Sequence, residues 1–417
     1  MALRPWPAVA FFVISLHIST PAAADDSWPQ WRGPARDGSS PGPDWPKSLS
    51  NEFFSQTWKV ENLGESYSGP IVGGGRVFTT ETVDKKIERV RCFDRKAGKE
   101  LWTKEWDGSL TVPFFAARNG SWIRSTPALD GDSLYVGGIR DVLVCLDVKD
   151  GSERWRADLA KDLDAPPPMF GFVASPLVDD TGIYVQAGSS VAKLDKKTGK
   201  VLWSTLKEKE AMFASAFASP TFAKLAGKDQ LLVQTRSKLV GLDRGTGKVL
   251  WEKPIPSFRG MNVLTPVTIG DAVFTATYGG NTRLVSVTGE ADKPTVADAW
   301  TFKYEGHMTT PVVIDGHVYL FGKDRRFICL DAKTGKEAWR SEQRFGEYWN
   351  LVSRGDKILA LDSVGKLYLI QADPKKFVIL DERQVSKPET WAHLAVVGDE
   401  VFIRDLFGLT AYRFAAK

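Results

Sequence analysis

Apolar residues in this chain fall in short runs bounded by turn residues, as in SLYVGG at 133–138, then VLVCLD at 142–147, then a glycine turn and ERW. Runs of this length and composition predict short strands joined by tight turns. The pattern is periodic. The strings CFDRKAGKELW, CLDVKDGSERW, KLDKKTGKVLW, GLDRGTGKVLW and CLDAKTGKEAW each set an Asp four residues before a Gly and a Trp four residues after it. The positions are Asp94, Gly98 and Trp102; Asp147, Gly151 and Trp155; Asp195, Gly199 and Trp203; Asp243, Gly247 and Trp251; and Asp331, Gly335 and Trp339. The unit recurs about every 50 residues, with a gap of double length before Gly335. A worn copy, LVSVTGEADKPTVADAW, fills that gap, keeping Gly289 and carrying its tryptophan at Trp300.

Each residue type has a physical role. The Asp can fold onto the turn backbone, and the Gly supplies the positive φ of a bulged hairpin. The Trp is too large for one small sheet to bury and is expected to pack on the neighbouring unit. Ahead of the copies stand Gly69-Pro70, Thr126-Pro127, Ser175-Pro176, Ser219-Pro220, Thr265-Pro266 and Thr310-Pro311. Proline removes a ladder donor and belongs at a strand start or an edge, which suits the innermost strand of a radial sheet. Four strands per unit in a radial array predict a β-propeller.

Two further segments, Asn350 to Leu380 and His393 to Phe414, have the strand pattern without the motif and raise six units to eight. The last runs out after three strands, and Phe53 to Val60, with Trp58, is a spare one. The expected fold is therefore all-β: one eight-bladed β-propeller of four-stranded antiparallel blades over residues 53–417, its N-terminal strand closing the last blade.

Residues 1–24 carry Arg4, the apolar run AVAFFVISLHI and a small-residue end at Ala22, Ala23 and Ala24, the shape of a cleavable secretory signal. Cleavage near Ala24 would leave an exported protein, periplasmic or secreted, with no transmembrane segment and no lipid anchor, expected to be a monomer. Residues 25–52, rich in Pro, Gly and Trp, form an irregular arm expected to dock on the ring surface. Lys+Arg 55 against Asp+Glu 51 is nearly balanced and the basic residues sit in the repeated turns, which argues against nucleic acid as a partner. Cys92, Cys145 and Cys329 occupy one repeat position in different blades, too far apart to bond, and are expected to be buried free thiols.

The unit from Leu-Asp through Thr-Gly-Lys to Trp resembles the tryptophan-docking repeat of the pyrroloquinoline-quinone-like propellers, which include quinoprotein alcohol dehydrogenases and the outer-membrane assembly factor BamB. The likeness covers roughly residues 53 to 414, and WPQWRGPARDG at 28–38 looks like the leader of exported bacterial proteins of this superfamily. The resemblance implies a secreted, non-catalytic scaffold that binds a protein or ligand. Its alternative is a periplasmic alcohol or sugar dehydrogenase dependent on pyrroloquinoline quinone and calcium, and a third reading is a carbohydrate-binding propeller. The adjacent Cys-Cys pair and the CxxCH haem motif of many such dehydrogenases are absent, so no cofactor is expected and no catalytic residue is assigned.

Loops leading into the innermost strands converge on a channel mouth, where a site belongs. They hold Tyr67, Trp122, Arg124, Phe170, Arg259, Asn262, His307, Trp349, Asn350, Trp391 and His393, beside Phe213, Phe217 and Tyr348. Trp122, Trp349 or Trp391 could offer a flat face to a planar ligand or a carbohydrate while Arg124, Arg259 and Asn350 supply polar contacts; the competing reading is an aromatic plug. His307 and His393 are too far apart in sequence for a zinc motif, and no metal is assigned. Arg354-Gly355-Asp356 and Gly73-Gly74-Gly75 read as hairpin turns.

Overall fold

The computed structural model describes residues 26–166, 168–209, 215–291 and 293–415. The expected secretory signal and Phe213 lie outside the described residues. Eight four-stranded antiparallel sheets form the molecule, seven of them from consecutive strands. Blade 1 comprises Ile71–Gly73, Arg76–Val83, Ile87–Asp94 and Glu100–Asp107, and blades 2 to 7 follow in chain order. Blade 8 is Ala395–Val397, Glu400–Arg404 and Leu409–Phe414, completed by Phe54–Val60 from the other end of the chain. The closing pair runs from Phe54 opposite Phe414 to Val60 opposite Leu409.

The repeat motif is the outer corner of each blade. In the hairpin after Asp94 the side-chain oxygen accepts from the amides of Lys96 and Ala97, and Gly98 takes φ +65°. A bulge follows at Cys92/Phe93, and the same break recurs at Cys145/Leu146, Lys193/Leu194, Gly241/Leu242 and Cys329/Leu330. Each glycine leaves room for a tryptophan from the preceding blade. A Cβ on Gly98, Gly151, Gly199, Gly247 or Gly335 would stand 2.4–2.7 Å from an indole carbon of Trp58, Trp102, Trp155, Trp203 or Trp300 respectively. The indole N–H then reaches a turn carbonyl: Trp58 to Arg95 at 2.9 Å, Trp102 to Val148 at 3.0 Å, Trp155 to Lys196 at 2.9 Å and Trp300 to Ala332 at 3.0 Å.

Blade 5 departs from the pattern. Gly289 is not its turn glycine; it lies within a long hairpin of Thr282–Glu290 and Lys293–Phe302, opposite Pro294. Trp300 nevertheless pairs with Leu284, as Trp102 pairs with Cys92, so the insertion lengthens the corner and leaves the docking register intact. With no glycine corner to meet, Trp251 donates to Gln230 of its own blade at 2.7 Å.

Around the channel the residues before the prolines form a hydrogen-bonded belt. The amide of Gly69 donates to Thr126 Oγ1 (3.0 Å), Thr126 to Ser175 Oγ (3.1 Å), Ser175 to Ser219 Oγ (2.9 Å), Ser219 to Thr265 Oγ1 (2.9 Å) and Thr265 to Thr310 Oγ1 (3.1 Å). In the blades without the motif, Asn350 replaces the hydroxyl: it donates to the Ala392 carbonyl and accepts from the Leu394 amide, both at 3.2 Å.

The arm docks inside the ring rather than on its outer surface. Trp28, 1% exposed, pairs with Val72 of the blade 1 inner strand, and Pro29 accepts from Leu129 of blade 2. Arg32 donates to the carbonyls of Thr310 (3.0 Å) and Pro311 (2.7 Å), and Arg36 to those of Pro176 (2.8 Å) and Ser175 (2.5 Å). Two guanidiniums thus satisfy inner-strand carbonyls of blades 6 and 3. Burial lowers Arg32 to about 10 and Arg36 to about 9, so both stay cationic at neutral pH. The arm leaves beside the Gly355 hairpin, where Arg354 binds Ser40 and lies over the Trp45 ring. The Arg-Gly-Asp triplet is therefore structural.

Cys92, Cys145 and Cys329 are buried and free, and burial pushes each thiol up, to about 12, 11 and 12. Because Phe54–Val60 supplies the only covalent return from blade 8 to the chain leading into blade 1, deleting residues through Val60 is expected to abolish cooperative unfolding in a denaturant titration. A truncated chain melting as sharply as the intact one would refute this closure.

Candidate functional site

Strands alternate in direction, so the loops entering each blade and the hairpins between second and third strands meet at one face. There they surround a cavity of about 540 Å³. Among the residues expected at the mouth, Tyr67, Arg124, Phe170, Arg259, His307, Trp391 and His393 line it. Trp122, Asn262, Trp349 and Asn350 do not.

Each exception has a structural reason. Trp349 is fully buried between blades, stacked on Phe321 at 4.8 Å and packed on Phe345 at 4.4 Å, with its indole N–H donated to Asp362 at 2.9 Å. It is a core residue between blades 6 and 7 and presents no surface to the cavity. Asn350 ties blade 7 to blade 8 as described. Asn262 donates to the carbonyls of Thr235, Arg236 and Ile255 and so fastens its loop. Trp122 packs edge-on against Tyr67 at 5.3 Å, supporting that ring from behind.

The lining also includes residues that the sequence reading missed, three of them aromatic or charged groups from unexpected segments. Arg236 and Tyr278 stand in second-to-third-strand hairpins, and Trp31 comes from the arm. The alternation of strand direction is the signal that could have found the first two, since it brings those hairpins to the mouth. The arm's WRGPAR string was legible as unusual, but nothing local says which surface it meets.

The walls combine flat rings with guanidinium groups. Tyr348 and Trp391 stack at 5.6 Å with 7° between planes, and Trp391 donates to Glu389 at 2.7 Å. Arg236 lies 4.6 Å over the Phe217 ring and donates to the carbonyls of Ser215, Gly260 and Arg259. Arg124 lies 5.5 Å over Tyr67 and donates to Gly120. Burial lowers Arg124 and Arg236 to about 10 and raises the Tyr67 phenol to about 12. His307 is held below the usual imidazole value, mainly by burial, and its ring lies 5.6 Å from Tyr278.

At the base, His393 is 5% exposed and its Nδ1 lies 2.9 Å from the Leu394 carbonyl. Its ring meets Trp31 edge-on at 6.0 Å. Burial, with the Arg32 charge adding to it, pushes the imidazole down to about 3.

Calcium takes six to eight oxygen ligands, carboxylates prominent among them. Among the lining residues the one carboxylate is Glu347, and it is bonded to Arg118 at 3.2 Å. No group of three or more His, Cys, Asp or Glu side chains able to hold a metal occurs among the described residues. Among the described residues the donor set does not fit a calcium-held quinone.

Two measurements separate wall from core. Trp349→Ala is expected to cost about 3–5 kcal/mol of stability, as for other buried large-to-small changes, whereas Trp391→Ala should stay within about 1 kcal/mol, both read from denaturant midpoints. For His393 the folded state binds its proton more weakly than the unfolded chain, so the stability present above pH 6.5 is lost as pH falls toward 3. His393→Gln should therefore lose less stability than the parent between pH 6.5 and 4 in parallel melts.

A sequence profile of the family described as outer membrane protein assembly factor BamB matches residues 86–341 and 290–408. The BamB of Moranella endobia is 24% identical over 325 residues, covering 76% of this chain and 78% of its own. That of Shewanella oneidensis is 22% identical over 383 residues, covering 86% and 88%. Among solved structures, BamB from Moraxella catarrhalis superposes with a TM-score of 0.64 at 15% identity, covering 87% of this chain and all of its own. The quinohemoprotein alcohol dehydrogenase of Comamonas testosteroni gives 0.64 at 13% identity over 95% and 82%. The two structures share the fold alone at these identities, whereas the profile spans most of the ring: the chain belongs to the BamB family.

Proposed function

We propose that this protein is an exported, non-catalytic scaffold that holds a protein partner against its mouth face, in the service of outer membrane protein assembly. The observation that carries the reading is that four of the seven exposed large apolar side chains among the described residues stand on one face, Phe53, Leu101 and Leu202 lying elsewhere. Phe114 (91% exposed) and Phe258 stand in loops entering blades 2 and 5, and Val364 and Phe407 in the second-to-third-strand hairpins of blades 7 and 8. All four are therefore on the mouth face, and apolar groups gathered on one face favour protein contact. The relatives named as assembly factors support the biological setting.

The dehydrogenase reading has less behind it, because among the described residues the cavity lining offers one carboxylate, Glu347, where calcium favours several. No helix among the described residues is long and apolar enough to cross a membrane. The test is a Phe114→Asp, Val364→Asp, Phe407→Asp variant, with Leu202→Asp on an outer strand as control. The triple variant should keep its melting temperature and lose co-purification with outer membrane assembly components from detergent-solubilised envelopes. Equal retention by both variants would reject the mouth face as the docking surface.

A further inference from the structure

We propose that two buried carboxylates, Glu88 and Asp141, form a proton-operated latch across the first two blade seams, and that its protonation state sets the rim from which the Phe114 loop rises. The latch is a property of the chain alone; its effect on docking rests on the scaffold reading. Both side chains lie at the mouth-side ends of their blades, Glu88 1% and Asp141 2% exposed.

Glu88 is the second residue of the third strand of blade 1, just past the hairpin on the mouth face. Its Oε1 accepts from the Ile139 amide of the blade 2 hairpin at 2.6 Å, and its Oε2 from the Trp106 indole N–H of its own blade at 2.8 Å. In that same blade 2 hairpin, Asp141 Oδ2 accepts from the Gly188 amide of the blade 3 hairpin at 2.8 Å. The hairpin at 139–141 is thus held by a carboxylate of blade 1 and holds blade 3 with its own. The Ile139 carbonyl accepts from the Phe172 amide at 3.1 Å, in the loop that carries Phe170 to the cavity wall. Gly108, where the Phe114 loop begins, lies against Glu88: a Cβ there, or on Gly138, would overlap the carboxyl group.

The charges facing these groups do not neutralise them. Arg156, on the outer strand of blade 2, is bonded to Glu153 and lies 5.3 Å over the Trp106 ring, and Arg140 of the hairpin lines a neighbouring cleft. Thr82, paired with Glu88 on the second strand, is uncharged. Asp141 faces a like charge, Asp158; the Gly188-Ser189 hairpin opposite carries none, and Lys161 and Asp162 of the short helix beside it are exposed. Burial therefore raises both carboxyls, each to about 7. With both Glu88 oxygens taken by N–H donors, a proton binds only by displacing one of them, since a carboxylic O–H donates. Each state is incomplete: the ionised latch keeps its hydrogen bonds and an unneutralised buried charge, and the protonated latch loses the charge and one bond. The displaced donor is the Ile139 amide at the seam or the Trp106 indole at the root of the Phe114 loop.

The folded chain binds protons that the unfolded carboxyls release above their ordinary values of 4.5 and 3.8, so the stability these groups contribute is fully present below those values and is lost as pH rises through 7. Glu305 makes a comparable tie across the seam of blades 5 and 6, accepting from the Gly279 amide at 3.1 Å. It is half-exposed and paired with Lys323 at 3.0 Å, which holds its carboxyl below the ordinary value. Glu305 stays ionised where Glu88 and Asp141 titrate, so the response is confined to the rim of blades 1 to 3, where a small change of pH moves the balance between two packed arrangements.

The experiment follows single resonances of the intact chain in an NMR titration between about pH 8 and about pH 5.5. The Trp106 indole N–H and the Ile139 and Gly188 amides should shift with midpoints near pH 7. Glu88→Gln should abolish the shifts at Trp106 and Ile139 and keep that at Gly188, and Asp141→Asn should do the reverse. If Glu88→Gln does not fold, Trp106→Phe takes its place: without the indole donor on Oε2 the proton binds more tightly, and the Ile139 midpoint should move upward. Recovery of outer membrane assembly components by the parent should fall at least about threefold from the higher pH to the lower and stay constant in the Glu88→Gln, Asp141→Asn chain. An indole resonance that does not titrate, a Trp106 shift that survives in Glu88→Gln, or an equal pH-dependent loss of partner in the double variant would each overturn the latch. Titration at Trp106 in a chain that captures no partner at any pH would reject the scaffold reading and support the latch.

Discussion

Everything in this molecule hangs on one contact, a tryptophan laid across the turn glycine of the next blade. No four-stranded sheet of this size can bury an indole by itself, and a glycine corner without an indole leaves a hole between blades. The two defects cancel only across an interface, which makes each blade dependent on its neighbour and the whole dependent on closure. Glycine is needed twice over, for its positive φ and because a Cβ would sit within 2.7 Å of the ring. Trp58 shows the consequence at the seam: it lies on the N-terminal strand yet docks on Gly98 of blade 1, so the chain's first strand welds its last blade to its first.

The inner side of the ring has the opposite problem. Innermost strands that begin with proline turn carbonyl groups toward the channel, and buried carbonyls need donors. The Ser/Thr belt uses the amides of the residues before the prolines, and the arginines of the arm take the carbonyls at two places across the channel. An arm with a guanidinium every four residues, at Arg32 and Arg36, is thus a cork matched to the bore. Its glycines follow from the same fit, since a Cβ on Gly33 would meet the Trp28 ring at 2.7 Å and one on Gly38 the Arg32 guanidinium at 2.6 Å.

The mouth is built on this cork. Aromatic residues that look alike in the sequence divide there into two populations. Trp349 begins a blade inner strand and is drawn between blades, where Phe321, Phe345 and Tyr368 enclose it. Trp391 lies in a loop, lines the cavity, and packs between Tyr348 and Tyr67. Position relative to the first ladder bond, not residue type, decides which becomes core and which becomes wall.

The sequence by itself determined the blade number, the strand order within blades, the bulged corners and the closing strand, because these rest on local turn chemistry and on a spacing repeated often enough to be read. Gly289 misled because an insertion preserved a glycine while moving the corner, and only the pairing of Trp300 with Leu284 reveals the true register. Tertiary structure alone decided the path of the arm, the burial of Trp349 and Asn350, and the presence of Arg236, Tyr278 and Trp31 in the cavity. Those facts depend on contacts between segments hundreds of residues apart, such as Arg32 with Pro311, 279 residues on. No periodicity records which distant surface a side chain will meet; that is settled only when the ring closes and leaves a channel of fixed width to be filled.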